Sequence, residues 1–296
     1  MKVLLVGSNG FVGSNILKVI REENVIFTLN RSNSNYNYNL GYDKIDIKES
    51  FDCVIHAAGR AHFTVKSSDD RRSFFQINVE GTIQLLESLS KRGGLKYFIF
   101  MSSVSVYGMT EGYLVKEDSP LLASDPYGKS KIDAEYNVIS WCKEHDVVCT
   151  ILRLPLVVGR NAPGNLRAMI QAIKYGFYFN VADGASKKSM VLVSDIANII
   201  IKVSKVGGIF NLTDGYHPSF NELSNCIAAQ LGRGSVLSIP YFCAKYLANI
   251  GDAIGGKAPL DTLKLSKITS TLTFDDTRAR RVFGWSPTSI LKGFEL

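Results

Sequence analysis

The sequence predicts an α/β protein built on a doubly wound parallel sheet, with a smaller C-terminal α/β lobe, and three observations carry that prediction. Val3-Leu4-Leu5-Val6 reads as a buried strand running straight into the glycine loop GSNGFVG. Segments of strand length and of helix length alternate through the first half, the pattern of strand–helix–strand crossovers. At 296 residues, 46% hydrophobic and 21% charged, the chain can bury a sizeable core.

Taken in order, strands are expected at 2–6, 25–29, 44–46, 53–57, 97–101 and 149–154, and helices at 11–23, 69–91 and 127–144. The stretch 32–42, rich in Asn, Ser and Tyr, lacks periodicity and reads as a polar loop. Asp125 followed by Pro126 is helix-start chemistry, so the third helix begins just before Tyr127. After Arg153 the pattern loosens into helices near 165–176, 195–205, 219–231 and 241–254. Residues 1–155 are therefore read as a dinucleotide-binding domain, to which part of the later chain returns, and 156–296 as mainly a substrate-binding lobe.

The glycine loop carries chemistry. Gly7 allows the tight turn, Gly10 lets backbone approach a pyrophosphate, and Gly13 lets the helix pack on the strand. The helix that starts there offers free N–H groups to an anion. Downstream, Tyr127 and Lys131 stand at i and i+4 in PYGKSK and share one helical face, so the ammonium is expected beside the phenol, favouring its ionised form. A phenol so placed can donate or accept a proton near neutral pH. Ser103 closes the preceding strand in MSSVSVYG.

Other classes find little support. Cys53, Cys142, Cys149, Cys226 and Cys243 lack CxxC spacing, and His56, His62, His145 and His217 lack ligand spacing, so no metal is expected. The net charge of +7 comes without a dense basic run, which suits phosphorylated small molecules better than nucleic acid. No apolar run approaches membrane-spanning length, and Lys2 before four apolar residues and a glycine loop is too short for a signal peptide, so a cytoplasmic protein is expected. Around 240–254, Tyr241, Phe242, Tyr246, Leu247 and Ile250 have the spacing of a helix packed on the core or on a partner subunit. A membrane-surface element is the alternative.

The ordered series GSNGFVG, IDI at 45–47, HAAG at 56–59, INVEGT at 77–82, SSVSVYG at 102–108, PYGKSK at 126–131, RLPLVVG at 153–159, GNL at 164–166, VSDIA at 193–197 and FGWSP at 283–287 resembles the extended short-chain dehydrogenase/reductase family, in particular its nucleotide-sugar epimerases, dehydratases and 4-ketoreductases. The resemblance implies that Tyr127 is the acid/base, that Lys131 lowers its pKa and holds the nicotinamide ribose, and that Ser103 orients the reacting sugar oxygen with Ser105 as a secondary contact. It also implies that Gly7, Asn9, Gly10, Phe11, Val12 and Gly13 line the cofactor. Asp46 and Ile47 would flank the adenine, Ala57, Ala58 and Gly59 the pyrophosphate and ribose, with Asn78 bracing the sheet behind and Pro155 nearby. Read alone, Asp46 is a turn residue, Asn78 a helix cap and HAAG close packing. On the substrate side the resemblance points to Asn165, Leu166 and Lys188 at a diphosphate. A homodimer would be usual.

Two departures stand out. Where NAD-preferring members carry an acid at the end of the second strand, this chain has Asn30 and Arg31, which suit a 2′-phosphate and favour NADP(H), with NAD(H) as the other choice. Lys188 stands where an arginine is commoner, and it binds phosphate as a point charge. The first functional reading is reduction of a 4-keto-6-deoxy sugar nucleotide. The alternative is a 4-epimerase acting on a nucleotide-linked or polyprenyl-diphosphate-linked sugar. A non-catalytic NADP(H) sensor and a reductase of hydrophobic ketones rank lower, since Tyr127 and Lys131 are both kept and GNL and Lys188 favour a phosphorylated ligand.

Overall fold

A computed structural model describes residues 1–61, 67–254 and 260–296, so His62 lies outside the described residues. Strand β1 (Lys2–Val6) leads into helix α1 (Phe11–Ile20), β2 (Val25–Asn30), β3 (Tyr36–Asn37) and β4 (Cys53–His56). Helix α2 (Ser68–Phe75), a π turn at Gln76–Glu80 and α3 (Gly81–Ser90) precede β5 (Tyr97–Ser103), β6 (Gly112–Val115), α4 (Pro126–Glu144), β7 (Val148–Leu154) and β8 (Leu156–Val158). There follow α5 (Asn165–Tyr175), β9 (Asn180–Val181), β10 (Met190–Leu192), α6 (Val193–Ser204), β11 (Gly208–Asn211) and α7 (Phe220–Gln230). The chain ends with β12 (Ser238–Ile239), α8 (Tyr241–Ile254), α9 (Thr262–Thr269), β13 (Leu272–Phe274), α10 (Thr277–Phe283) and α11 (Ile290–Gly293).

Seven strands form one parallel sheet in the order β11-β7-β5-β4-β1-β2-β3, the doubly wound arrangement. Such a sheet is covered on both faces, and its central strands are accordingly apolar over most of their length, with His56, Ser102, Ser103 and Arg153 toward their carboxyl ends. Val3, Leu5, Ile55 and Ile99 face Ile16 of α1 and Ile196 and Ile200 of α6, while Leu4, Val54, Phe98 and Ile151 face Leu85 of α3 and Ala134 and Val138 of α4. Three two-stranded parallel ladders, β8–β10, β9–β12 and β6–β13, organise the rest. No helix among the described residues is long and apolar enough to cross a membrane.

Three local expectations are corrected. Residues 44–46 form no strand: Ile45 goes into the core as a loop residue, and the edge beside β2 is taken by Tyr36 and Asn37 from the stretch read as loop. The single helix expected over 69–91 is broken by the π turn, where Gly81 lies against Leu40 and Gly41 so closely that a Cβ there would sit 2.7 Å from Leu40 Cβ. Finally, α8 packs inward through Ala244, Ala248 and Gly251, while its bulky apolar side chains point out. Cys53 and Cys142 are buried in the cores, and the other three cysteines are half-buried.

Candidate active site

The carboxyl ends of β1, β4, β5 and β7 gather the site residues. Gly7 turns the chain with φ +88°, and a Cβ there would meet the Ala58 nitrogen at 2.6 Å. A Cβ on Gly13 would meet Gly7 O at 2.1 Å, so helix and strand touch through glycine. Gly10 meets only Gly7 O, at 3.3 Å, and is exposed. No side chain caps α1 and no acid stands in its first turn, so the leading N–H groups, from Phe11 onward, are available to an anion. This cradle fits the pyrophosphate of a dinucleotide.

The neighbouring contacts divide the cofactor candidates. Asn30 is spent on the loop: its Oδ1 accepts from Asn9 N at 3.2 Å and its Nδ2 donates to Ser8 Oγ at 2.7 Å. Both ends of its amide thus serve the glycine loop. Arg31 is exposed and has no ion pair among the described residues. Asp46 has an exposed side chain, whereas Ile47 buries its side chain in the core and gives its N–H to Ser88 Oγ at 2.8 Å. Phe11 lies against Gly159, where an added Cβ would be 3.4 Å from its ring, and Pro155 is buried between β7 and β8.

Around the ammonium, Gly59, Asn78 and Lys131 come together. A Cβ on Gly59 would lie 3.3 Å from Lys131 Nζ and 3.2 Å from Asn78 Oδ1. Asn78, in the π turn, accepts from Arg60 N at 2.7 Å and donates to Ser130 Oγ at 2.9 Å, tying the loop after β4 to α4. Lys131 donates to Met101 O at 2.8 Å and sits 4.6 Å above the Phe100 ring. Burial pulls its pKa down to about 8, with Glu135 opposing. His56 on the next strand is held neutral, burial and the Lys131 charge pushing it down to about 3.

The second cluster is Ser103, Ser105 and Tyr127. Asp125 caps α4 by accepting from Tyr127 N at 3.1 Å and Gly128 N at 3.0 Å, which fixes the tyrosine in the first turn. Ser103 Oγ donates to Ser105 Oγ at 3.1 Å and accepts from Ser105 N at 3.2 Å. The Tyr127 phenol is raised by burial, lowered by its hydrogen bond with Ser103 and raised by Asp125. The expected lowering by Lys131 is not part of this arrangement, because the ammonium is turned to the Met101 carbonyl. Burial drives both groups toward their neutral forms.

Sequence reasoning missed the network beneath. Arg153 binds Glu135 through two hydrogen bonds, Nη2–Oε2 at 2.8 Å and Nε–Oε1 at 3.1 Å, with both side chains almost fully buried. Arg153 Nη1 also donates to Tyr107 OH at 3.1 Å and Glu117 O at 2.9 Å, Tyr107 donates to Asn211 Oδ1 at 2.8 Å, and Ser102 donates to Glu135. Its one readable trace was position 135, a turn beyond 131 on the face of Tyr127 and Lys131.

Asn165 and Leu166 open α5, where Gly164 turns with φ +71° and no side chain caps the helix; Leu166 itself is buried. Lys188 is half-buried, its pKa brought down to about 8 by burial and then by the charge of Lys267. That second cation had no part in the sequence reading. A separate polar cleft of about 470 Å³, lined by Asp214, Tyr216, His217, Asp276 and Arg280, contains none of the candidate residues, and Asp276 pairs with Arg280 at 2.7 Å there.

Comparison with known proteins identifies the family. The model of the NAD dependent epimerase/dehydratase family matches residues 3–212. A UDP-glucose 4-epimerase of Vibrio cholerae is 26% identical over 316 residues, covering 99% of this chain and 93% of the relative. An N-acetyl-alpha-D-glucosaminyl-diphospho-ditrans,octacis-undecaprenol 4-epimerase of Escherichia coli is 26% identical over 320 residues, covering 99% of this chain and 93% of the relative. Among solved structures, RMD from Pseudomonas aeruginosa complexed with NADPH superposes with a TM-score of 0.73 at 19% identity, covering 99% of this chain and 96% of the other, a likeness of fold.

Proposed function

The chain belongs to the NAD dependent epimerase/dehydratase family, and from that premise we propose that this NAD(P)-dependent enzyme is a 4-epimerase of a diphosphate-linked sugar. The observation that carries the reading is that relatives matched over nearly the whole chain are named as 4-epimerases, while Ser103 and Tyr127 meet beside a buried lysine. The reductase reading rested on Asn30 and Arg31, and Asn30 is engaged by the glycine loop.

In the proposed course Tyr127 reacts as the phenolate, the form that burial disfavours here, and accepts the proton of the C4 hydroxyl while Ser103 holds that oxygen. A nicotinamide held over the Gly7–Gly13 loop and beside Gly59 would supply the acceptor, and afterwards the donor, of the C4 hydride. After the 4-keto sugar has turned over in the site, Tyr127 returns the proton, so the opposite C4 isomer leaves with no net redox change. Lys131 contributes a positive charge next to the ribose-side loop at Gly59. Asn165, at the open end of α5, and Lys188 are assigned to the diphosphate.

Two measurements test this. Protein carrying bound nicotinamide, given UDP-glucose or UDP-N-acetylglucosamine without added reductant, interconverts the C4 isomers with no net change in nicotinamide absorbance. Stoichiometric consumption of NADPH on a 4-keto sugar nucleotide, without C4 interconversion, overturns the proposal in favour of a reductase. On cofactor choice, we expect NADPH to bind at least about tenfold tighter than NADH, roughly 1.4 kcal/mol, through Arg31. Arg31→Ala then removes most of the gap in a fluorescence titration; equal affinities in the unaltered protein would dismiss Arg31.

A further inference from the structure

More than half of the exposed large apolar side chains among the described residues fall between residues 175 and 263, and α8 holds the densest group. An ordinary surface helix buries its bulky apolar residues. This one does the reverse: Ala244, Ala248 and Gly251 face inward, while Phe242, Tyr246, Leu247 and Ile250 are 72%, 69%, 52% and 43% exposed. At about 3.6 residues per turn, these four share the outward side with Ile254, and Lys245 lies on a flanking strip.

Helix α9 packs against the small-residue side through Leu265 and turns Leu263 outward. The acids of this hairpin are occupied internally. Asp252 Oδ1 accepts from Thr262 N at 3.1 Å, and Asp261 accepts from Lys264 N at 2.7 Å while pairing with Lys264 Nζ at 3.2 Å. Lys245 and Lys267 have no ion pair among the described residues.

We propose that the α8–α9 hairpin docks on the surface of an anionic lipid bilayer, with Phe242, Tyr246, Leu247 and Ile250 at the headgroup boundary and Lys245 and Lys267 toward the lipid phosphates. Aromatic and aliphatic side chains beside ammonium groups that form no ion pair among the described residues are what such an interface favours. A second copy seated on the same face would set these like charges against one another. The charge of Lys267 also acts on Lys188, so this surface adjoins the residue assigned to the diphosphate. That last link rests on the function proposed above; the docking and its test do not.

Sedimentation of the full chain with vesicles decides the matter. Vesicles of phosphatidylcholine with phosphatidylglycerol are expected to bind it at least about tenfold better than phosphatidylcholine alone. The triple change Phe242→Ser, Tyr246→Ser and Ile250→Ser should weaken that binding at least about thirtyfold, and Lys245→Glu at least about fivefold. Tyr113→Ser, an equally exposed site elsewhere, should leave it unchanged. Circular dichroism melting checks that the triple variant is folded. No binding to any vesicle, or undiminished binding by the folded triple variant, overturns the proposal. So does light scattering that finds a dimer made monomeric by the triple change, with no vesicle binding, which would give the face to a second copy.

Discussion

Tyr127→Phe is expected to lower kcat by a factor of about 10² to 10⁴ while leaving the fold and cofactor affinity nearly intact. The hydroxyl makes its hydrogen bond with Ser103, and the ring keeps its packing 6.0 Å from that of Phe74, so the substitution removes the proton-carrying atom and little else. Lys131→Met should harm both turnover and cofactor affinity, because it removes the charge beside Gly59. Steady-state kinetics on the sugar substrate, with cofactor titration of the same proteins, makes the comparison. Full turnover by Tyr127→Phe would take Tyr127 out of the proton transfer.

Glu135→Ala should cost about 3–5 kcal/mol of folding stability, read as a shift of the urea midpoint. The substitution strands the Arg153 guanidinium, almost fully buried, with only the Tyr107 hydroxyl and the Glu117 carbonyl as partners. Removing both charges as Glu135→Leu with Arg153→Met should restore much of the loss, since a buried pair is costly chiefly when broken. A Glu135→Ala variant as stable as the parent would show that Arg153 finds water or another partner. Because Glu135 opposes the fall of the Lys131 pKa, Glu135→Gln should move that pKa further down.

What could be read from the sequence was what is local. Strand period, a glycine at φ +88° and an Asp-Pro helix start each act within a few residues, so the cradle at Gly7–Gly13 and the first turn of α4 were foreseeable. Pairings distant along the chain were not. The Arg153–Glu135–Tyr107 network joins β7, α4, the turn after β5 and the end of β11 at Asn211, and no spacing rule reports it. The π turn at Gln76–Glu80 keeps helical composition and shows itself only through the close approach of Gly81 to Leu40. In α8 the apolar spacing was legible, but which side faces inward is decided by Ala244 and Ala248 fitting against Leu265. Arg31 was legible as a cation, whereas the engagement of Asn30 with Asn9 and Ser8 depends on how the glycine loop folds back.

The place of β11 has a consequence for how the molecule is made. Thr150 to Arg153 of β7 pair with Gly208 to Asn211, which leave the ribosome only after the intervening α5 and α6. Until then one side of β7 presents bare N–H and C=O groups, the kind of template that recruits stray strands from other nascent chains. Tyr107 and Glu117 likewise await Asn211, whose side chain and N–H complete their hydrogen bonds. Assembly of the nucleotide-binding half is thus timed by residues from the other half, and a ribosome pausing between them would hold out an aggregation-prone intermediate.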